Sequence, residues 1–380
     1  MKLSIGIVGL PNVGKSTMFN ALTKNSVPAE NYPFCTIDPS VGIVEVPDQR
    51  LWDLSKLSDT KKTVPAVVEF VDIAGLVKGA STGEGLGNKF LSHIRETDAI
   101  AEVVRIFEDE KVMHVNDRVD PLFDIEVINY ELVAADLETC RTRKNAIQKD
   151  VKKGDKKYMM LDNLIGRLLV NLEADKLVSQ MYEYKENGDI DNFTEEEVKE
   201  IKMLNLITAK KFLYVLNKKA GGKNLDEPTN NLSCDPRYTA LIEFLNKNNF
   251  EYVIIDAKIE DELKDFEGEE KEMLRGELGG KSDGIKDLIV GGYKMLGLET
   301  YFTTGVEETR GWTIKKGSTA PVAGQAIHTD FKEKFIRAQV VDFKTLLELG
   351  SFAKCKETGK LRMEGKEYIV RDGDVIEFFV

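Results

Sequence analysis

The first 130 residues alternate short apolar, β-branched runs with amphipathic stretches of helical period. The pattern predicts strands at Ser4–Gly9, Ala66–Asp72 and Asp98–Phe107, and a helix at Lys15–Lys24. Strands that alternate with helices in this way form a parallel sheet with helices on both faces. The sequence therefore predicts an α/β fold that opens with a strand, a glycine-rich turn and a helix.

The pattern becomes helical between residues 131 and 205. Leucine and isoleucine recur there at spacings of three and four among charged residues. Thr194, followed three residues later by Glu197, is the capping box typical of a helix start. We interpret 131–205 as a helical coiled-coil insert, a projecting arm whose turn lies near Gly154.

The α/β pattern then resumes, with strands predicted at Phe212–Leu216 and Tyr252–Ile255. The last 80 residues differ, because short strand-like runs, such as Tyr368–Val370, alternate there with Gly and Asp turns. We therefore expect residues 1–130 and 206–296 to form one α/β domain around the insert. Residues 297–380 are predicted to form a small β-rich domain.

Composition narrows the class of protein. The chain has 380 residues, 42% of them hydrophobic, with a net charge of −12, four scattered cysteines and three histidines. These values favour packed domains and argue against a disulfide framework, a zinc site or a surface that coats nucleic acid as a whole. No stretch approaches the length of a membrane-spanning helix. We expect a cytoplasmic protein with no membrane partner, a monomer or weak oligomer.

The charge is uneven along the chain. Residues 141–157 hold eight basic and two acidic residues. Lysines on a projecting hairpin can neutralise RNA phosphates, whereas a solvated helix tip has the same composition. Charge alone leaves both interpretations open.

A phosphate-binding motif lies between the first strand and the first helix. Gly9–Thr17 reads GLPNVGKST and matches the pattern GxxxxGK[ST] in the structural context that this motif requires. Backbone N–H groups of such a loop face the phosphates, and the helix N-terminus adds positive charge. We expect Lys15 to reach the β- and γ-phosphates and the Ser16 hydroxyl to bind Mg²⁺. The predicted nucleotide-binding residues of this loop are Asn12, Val13, Gly14, Lys15, Ser16 and Thr17.

Downstream residues complete a triphosphate site. Asp72 follows an apolar strand and is predicted to hold the Mg²⁺ shell, while the N–H of Gly75 senses the γ-phosphate. Thr36, in a loop without periodicity, is the candidate that closes over Mg²⁺ and the γ-phosphate. Lys15, Thr36 and Gly75 are thus the predicted catalytic residues, and Ser16, Thr36 and Asp72 the metal ligands.

Two positions bear on hydrolysis and on a second cofactor. Leu76 stands where Ras-type enzymes carry the glutamine that orients the attacking water. A leucine cannot hydrogen-bond water, so we expect slow intrinsic hydrolysis. Asn12 could hold K⁺ near the phosphates or could simply shape the loop.

The base-recognition element departs from the usual pattern. Asn217 and Lys218 follow a strand as in NKxD, but Ala220 replaces the acid that selects guanine. Asp256, Ala257 and Lys258 follow the next strand and fit the last loop that contacts the base through its backbone. We therefore expect a preference for adenine or a relaxed base specificity, unless a carboxylate of the string 224–227 takes over the role of the missing acid.

Together, GLPNVGKST, NYPFCTIDP, DIAGLVKGAS and the C-terminal YFTTG, RGWTIKKG, HTDF and GKLRMEGKEYIVRDGDVIEFFV resemble the Obg-like ATPase (YchF) family over essentially the whole chain. The resemblance implies a P-loop G domain of the translation-factor class, a coiled-coil insert and a C-terminal, β-grasp-like TGS domain. It also implies ATP binding and hydrolysis, and association with ribosomes. Two positions depart from the family pattern. Ala220 replaces an acid, and Glu102 replaces a histidine. A glutamate at position 102 could orient water as a base or could simply be a tolerated polar residue, so no catalytic role is assigned to it.

We therefore expect a Mg²⁺-dependent ATPase, with GTP as a second substrate, that acts as a nucleotide switch on the ribosome or its RNA. In the alternative, the protein is a nucleotide-gated binding module with negligible hydrolysis of its own, which a partner supplies.

Overall fold

The computed structural model describes residues 3–24, 40–73, 86–109, 114, 118–183, 190–228 and 234–380. The strands are β1 Ser4–Val8, β2 Val41–Glu45, β3 Lys62–Val64, β4 Val67–Asp72, β5 Ala99–Arg105, β6 Phe107–Glu108, β7 Lys211–Asn217, β8 Lys223–Asn224, β9 Glu251–Ile255, β10 Leu298–Thr303, β11 Glu308–Lys315, β12 Arg337–Asp342, β13 Arg362–Glu364 and β14 Asp374–Phe379. The helices are α1 Lys15–Lys24, α2 Gln49–Leu57, α3 Leu86–Glu96, α4 Pro121–Lys152, α5 Lys156–Leu172, α6 Glu195–Leu204, α7 Pro236–Lys247, α8 Ala257–Glu262, α9 Gly268–Glu277, α10 Gly284–Met295, α11 Ala320–Gly324, α12 Asp330–Glu333, α13 Phe343–Leu349 and α14 Phe352–Glu357, with a short 3₁₀ helix at Val178–Met181.

A six-stranded sheet positions the candidate site, with the strand order β2-β4-β1-β5-β7-β9. Strand β1 pairs in parallel with β4 and β5, and β7 pairs in parallel with β5 and β9. Every residue of β5 is buried, as expected for a strand that is covered on both faces. The predicted α/β fold is confirmed, and the parallel strands bring the loops after β1, β4, β7 and β9 to one edge.

The helical insert is a hairpin of two long antiparallel helices. Helix α4 starts at Pro121 rather than near residue 131, because Asp120 caps it and Pro121 fits its first turn. The chain turns at Gly154, with φ of 79°, and Asp155 then caps α5. Helix α5 buries an apolar stripe of Leu161, Leu164, Ile165, Leu168 and Leu172. The predicted capping box of Thr194 and Glu197 is confirmed at the start of α6.

The chain divides into two compact units. One contains Ile43–Val68 together with Tyr293–Val380, and the other contains Ser4–Gly42 and Glu69–Gly292. The pattern-based boundaries differ from this division, because they assigned 43–68 to the N-terminal domain and started the C-terminal domain at residue 297. Boundaries between the units fall inside β2, β4 and α10.

The C-terminal unit has its own sheet, in the order β13-β12-β14-β10-β11-β3. Strand β3 pairs with β11 in parallel. From α2, Leu51 and Leu54 enter a core that also contains Phe302, Val341 and Val375. The predicted strand at Tyr368–Val370 is wrong, because only Ile369 forms an isolated bridge, with Thr319. The segment Ile43–Val68, which contains α2 and β3, thus completes the C-terminal unit.

The guanidinium of Arg50 anchors α2 within the same unit. It donates to the helix cap Asp48 and, at 2.6 Å, to Asp372, and it lies 5.3 Å from the ring centroid of Phe302. The carboxylate of Asp372 also accepts from the N–H of Thr300 at 3.0 Å. This charged network joins α2 to strand β10 and to the loop before β14.

No helix within the described ranges is long and apolar enough to cross a membrane.

Replacement of Leu54 by Ala should destabilise the C-terminal unit by about 2–5 kcal/mol, because the fully buried side chain leaves a cavity between α2 and the sheet. Both tryptophans of the chain, Trp52 and Trp312, lie in this unit, so their fluorescence during urea unfolding reports on it. Lys56→Ala, at an exposed position of the same helix, is the control and should change stability by less than about 0.5 kcal/mol. Equal midpoints for the two variants would show that α2 is not part of this core.

Candidate functional site

The loop between β1 and α1 has the backbone geometry of a phosphate cradle. Asn12 and Gly14 adopt positive φ values of 62° and 101°. A Cβ at Gly9 would lie 2.8 Å from the carbonyl oxygen of Val103, and one at Gly14 would collide with Nδ2 of Asn217. Both glycines are therefore required by close packing, and the loop leads directly into the N-terminus of α1, where unpaired N–H groups favour an anion.

Two predicted residues meet at the mouth of this loop. The Lys15 ammonium lies 2.5 Å from a carboxylate oxygen of Asp72, and the side chains are 10% and 26% exposed. Asp72 ends β4, and its N–H donates to the carbonyl of Ser40 at 2.8 Å. The structure thus places the cation predicted for the phosphates against the acid predicted for the metal.

The described residues suit Mg²⁺. Ser16 is exposed in the first turn of α1, and Asp72 presents a carboxylate beside Lys15. A hydroxyl and one carboxylate are the oxygen ligands that Mg²⁺ takes when phosphates and water supply the rest. Within the described ranges no group of three His, Cys, Asp or Glu could hold a metal alone.

Asn217 joins three loops of the site. Its side chain is buried, and Nδ2 donates to the carbonyl of Val13 at 2.7 Å while Oδ1 accepts from the N–H of Ala257 at 3.0 Å. Asn217 ends β7, Val13 belongs to the loop after β1, and Ala257 begins α8 just after β9. One amide therefore fixes the spacing of these three segments. The predicted residues Val13, Gly14, Asn217 and Ala257 therefore come together.

The string 224–227 braces residues 217–220 after β7, which we call the base loop. Asn224 accepts from the N–H of Lys219 at 2.9 Å and donates to its carbonyl at 2.8 Å. The Lys218 ammonium lies 3.6 Å from Asp226 and 4.0 Å from Glu227. The acids of this string thus lie against Lys218. The sequence pattern did not reveal this arrangement, in which β8, at the start of the string, pairs with the distant strand β6.

Asp256 contributes its side chain as well as its backbone. One carboxylate oxygen accepts from the N–H groups of Lys258 and Ile259, and the other accepts from the N–H of Ala220. The sequence assigned Asp256 only as part of a loop with backbone contacts. The cross-link to Ala220, 36 residues away, depends on the pairing of β7 with β9.

Two predicted catalytic residues, Thr36 and Gly75, and also Leu76, lie outside the described residues.

Glu102 lies away from the phosphate loop. It is fully buried in β5, whereas the neighbouring Val103 contacts Gly9, and successive strand residues face opposite sides. Neither carboxylate oxygen has a hydrogen-bond partner among the described residues. Burial, and secondarily the charge of Asp124, raises the pKa of Glu102 well above its usual range. An acid on the face of the sheet opposite the phosphate loop cannot orient water at the phosphates.

The arm carries unpaired positive charge at its tip. Arg141, Lys144, Lys153 and Lys157 form ion pairs with Glu173, Asp162, Asp150 and Glu200. The other four basic residues of 141–157 have no carboxylate partner within the described ranges, and they are Arg143, Lys149, Lys152 and Lys156. The hairpin thus presents excess cations to solvent on both sides of Gly154.

A groove of about 940 Å³ lies elsewhere, between α3, α4 and α6. Arg95, Glu138, Thr139, Arg143 and Glu200 are among its lining residues. None of the predicted nucleotide-binding residues lines it, so this groove is distinct from the candidate site.

Comparisons with known proteins agree with this geometry. Residues 4–134 match the family model MMR_HSR1, described as a 50S ribosome-binding GTPase, and residues 298–380 match the model YchF-GTPase_C, described as a protein of unknown function. The chain is 49% identical to the "Ribosome-binding ATPase YchF" of Bacillus subtilis (strain 168) and 44% identical to that of Escherichia coli O157:H7, with 100% of this chain and 99% of each relative covered. The solved structure of the Schizosaccharomyces pombe YchF GTPase superposes with a TM-score of 0.83 at 34% identity, covering 100% of this chain and 98% of that one.

Lys15→Ala should abolish tight triphosphate binding, because the only predicted cation for the β- and γ-phosphates is lost. Equilibrium binding of a fluorescent, non-hydrolysable ATP analogue with Mg²⁺ measures the effect, and we expect a loss of at least about 100-fold, or 2.7 kcal/mol. Lys247→Ala, an exposed lysine of α7, should leave the affinity unchanged. An unaltered affinity in Lys15→Ala would refute the assignment of the site.

Glu102→Gln should stabilise the protein at neutral pH. The pKa of Glu102 is raised in the folded state, so above about pH 4.5 the unfolded chain ionises while the folded one keeps its proton, and stability falls as pH rises. The loss is about 1.4 kcal/mol per pH unit until the folded pKa is reached, and glutamine removes it. Urea unfolding from pH 5 to 8 measures the slope.

The control for this experiment is Glu126→Gln, at an exposed position of α4. It should keep the wild-type pH dependence. If Glu102→Gln has the same slope as the wild-type protein, Glu102 is ionised in the fold and our interpretation is wrong.

Proposed function

Because the chain belongs to the YchF family, we propose that it is a Mg²⁺-dependent ATPase that acts as a nucleotide switch on the ribosome. The observation that carries the proposal is the convergence of the phosphate loop, the Lys15–Asp72 pair and the Asn217 bridge at one edge of the sheet. The relatives named as ribosome-binding ATPases support it over the full length of the chain.

The Lys15–Asp72 pair suggests how the phosphates are accepted. A triphosphate that enters the loop offers Lys15 several anionic oxygens in place of one carboxylate. Asp72 is thereby released to hold Mg²⁺ together with Ser16, and the ion would neutralise charge on the phosphates. Exchange of one ion pair for another keeps Lys15 paired in both states, which limits the penalty of its burial.

We further propose that Thr36 and Gly75 respond to the γ-phosphate, and that Asn12 helps to hold K⁺ near the phosphates. Positive φ in Asn12 places its side chain at the tip of the loop, where it is exposed. Intrinsic hydrolysis is slow, because Leu76 cannot orient water and the buried Glu102 does not reach the site.

The arm is the proposed contact with ribosomal RNA. Its unpaired cations lie at the tip of a hairpin in which α4 is 32 residues long, about 48 Å at 1.5 Å per residue. Cations without carboxylate partners can neutralise phosphates without first breaking an ion pair. We therefore propose a cytoplasmic protein that touches RNA through the arm.

The purified protein should hydrolyse ATP slowly, and ribosomes should accelerate turnover. Phosphate release at fixed ATP and Mg²⁺, with and without ribosomes, measures both rates. Measurable hydrolysis in the absence of ribosomes distinguishes an ATPase from a binding module whose hydrolysis a partner supplies. No hydrolysis in either condition would overturn the proposal.

Replacement of Lys149, Lys152 and Lys156 by Gln should weaken co-sedimentation with ribosomes and reduce the salt dependence of binding by about three units of slope at most, one for each lost phosphate contact. The control replaces Lys247, Lys281 and Lys286, three exposed lysines of the same unit, by Gln. It therefore has the same net charge as the arm variant. ATP binding should be unchanged in both variants. Equal loss in both would mean that overall charge, and not the arm, governs binding.

A further inference from the structure

The base loop lacks its usual acid, yet a carboxylate lies against it. Strand β7 ends at Asn217, and Ala220 follows three residues later, as the fourth residue of the string that begins with Asn217. The carboxylate of Asp256 approaches from the loop after β9 and accepts the N–H of Ala220. Asp256 is 9% exposed, so this charge is held inside the wall of the site.

Six backbone donors around this point are occupied within the protein. In the base loop, the N–H of Lys218 donates to Ile255 at 2.8 Å, that of Lys219 to Asn224 at 2.9 Å and that of Ala220 to Asp256. In the first turn of α8, the N–H of Ala257 donates to Asn217 at 3.0 Å, and those of Lys258 and Ile259 donate to Asp256 at 3.1 and 3.0 Å.

The occupied N–H groups determine which hydrogen-bonding partners remain for the 6-position of a purine. Guanine carries an oxygen there and needs a donor, whereas adenine carries an amino group and needs an acceptor. With these N–H groups taken, the oxygen of guanine would meet a carboxylate and satisfied amides, and an unpaired polar group in a closed site is costly. The amino group of adenine would meet acceptors.

We propose that Asp256 determines the purine preference of this site, by removing the backbone donors that a 6-oxo purine requires and by supplying a carboxylate where Ala220 has none. The inference rests on the proposed ATPase function and names the residue that makes adenine the preferred base. Asp256 also caps α8, so its role in specificity must be separated from a role in folding.

Two substitutions make this separation. Asp256→Ser retains a hydroxyl that can cap α8 but is too short to hold Ala220, which frees one donor. Asp256→Asn retains a carbonyl oxygen for the cap and replaces a carboxylate oxygen by an N–H donor. Asp261→Asn, on the same helix and paired with Lys264 near the surface, is the matched control.

The measurement is the dissociation constant of non-hydrolysable ATP, GTP and ITP analogues with Mg²⁺, and of tripolyphosphate, which has no base. Inosine has the 6-oxo group of guanine without its 2-amino group. We expect the wild-type protein to bind the ATP analogue at least about tenfold more tightly than the other two nucleotides. Both Asp256 variants should lower this ratio by about tenfold, with Asn the larger effect, while tripolyphosphate affinity stays constant.

Other results would overturn the inference. An unchanged ratio in both variants, or an equal loss for all nucleotides and tripolyphosphate, would leave Asp256 a purely structural role. Wild-type binding of ITP as tight as that of ATP would show that the 6-position is not read. If the wild-type protein binds tripolyphosphate and all nucleotides equally, only this assignment fails, whereas no binding of any of them overturns the proposed function and this inference with it.

Discussion

The side-chain amide of Asn217 is the interaction on which the site depends. Buried at the end of a central strand, it spends its donor on Val13 and its acceptor on Ala257, so neither group is left unpaired. Removal of this side chain would leave a buried carbonyl and a buried N–H without partners, each worth about 1–3 kcal/mol. These two hydrogen bonds fix the position of the phosphate loop relative to the end of β7 and the start of α8.

The same sheet separates two kinds of electrostatics. On the side of the phosphate loop, Lys15 and Asp72 form a partly exposed ion pair that a ligand can exchange. On the α4 side, Glu102 is buried beside Tyr214, whose pKa is raised by burial and by Glu102. Glu102 and Tyr214 are register partners in β5 and β7, so the polar groups face each other by strand pairing. The Lys15–Asp72 pair, on one side of the sheet, can be exchanged for contacts with a ligand. On the α4 side, burial disfavours the ionised forms of Glu102 and Tyr214.

The C-terminal unit contains two segments that are far apart in the sequence. Residues 43–68 lie in sequence between the two segments predicted to respond to the γ-phosphate, and they supply Leu51, Leu54 and the Arg50 network to that unit. Asp72 follows four residues after this segment. The unit is therefore completed by a segment that lies far from the C-terminus in the sequence.

Local pattern and spacing determined much of this protein. The glycine-rich loop, the strand before Asp72, the hairpin turn at Gly154 and the capping box at Thr194 are encoded within a few residues of each other, so the sequence alone predicts them. The contacts of Asp256 with Ala220, of Asn217 with Val13 and of α2 with the C-terminal core join residues 36 to about 300 positions apart. Such contacts depend on strand order and on which faces of the sheet are covered, and no local pattern carries that information. The sequence revealed that the acid at position 220 is missing, and only the tertiary structure showed which carboxylate lies there instead.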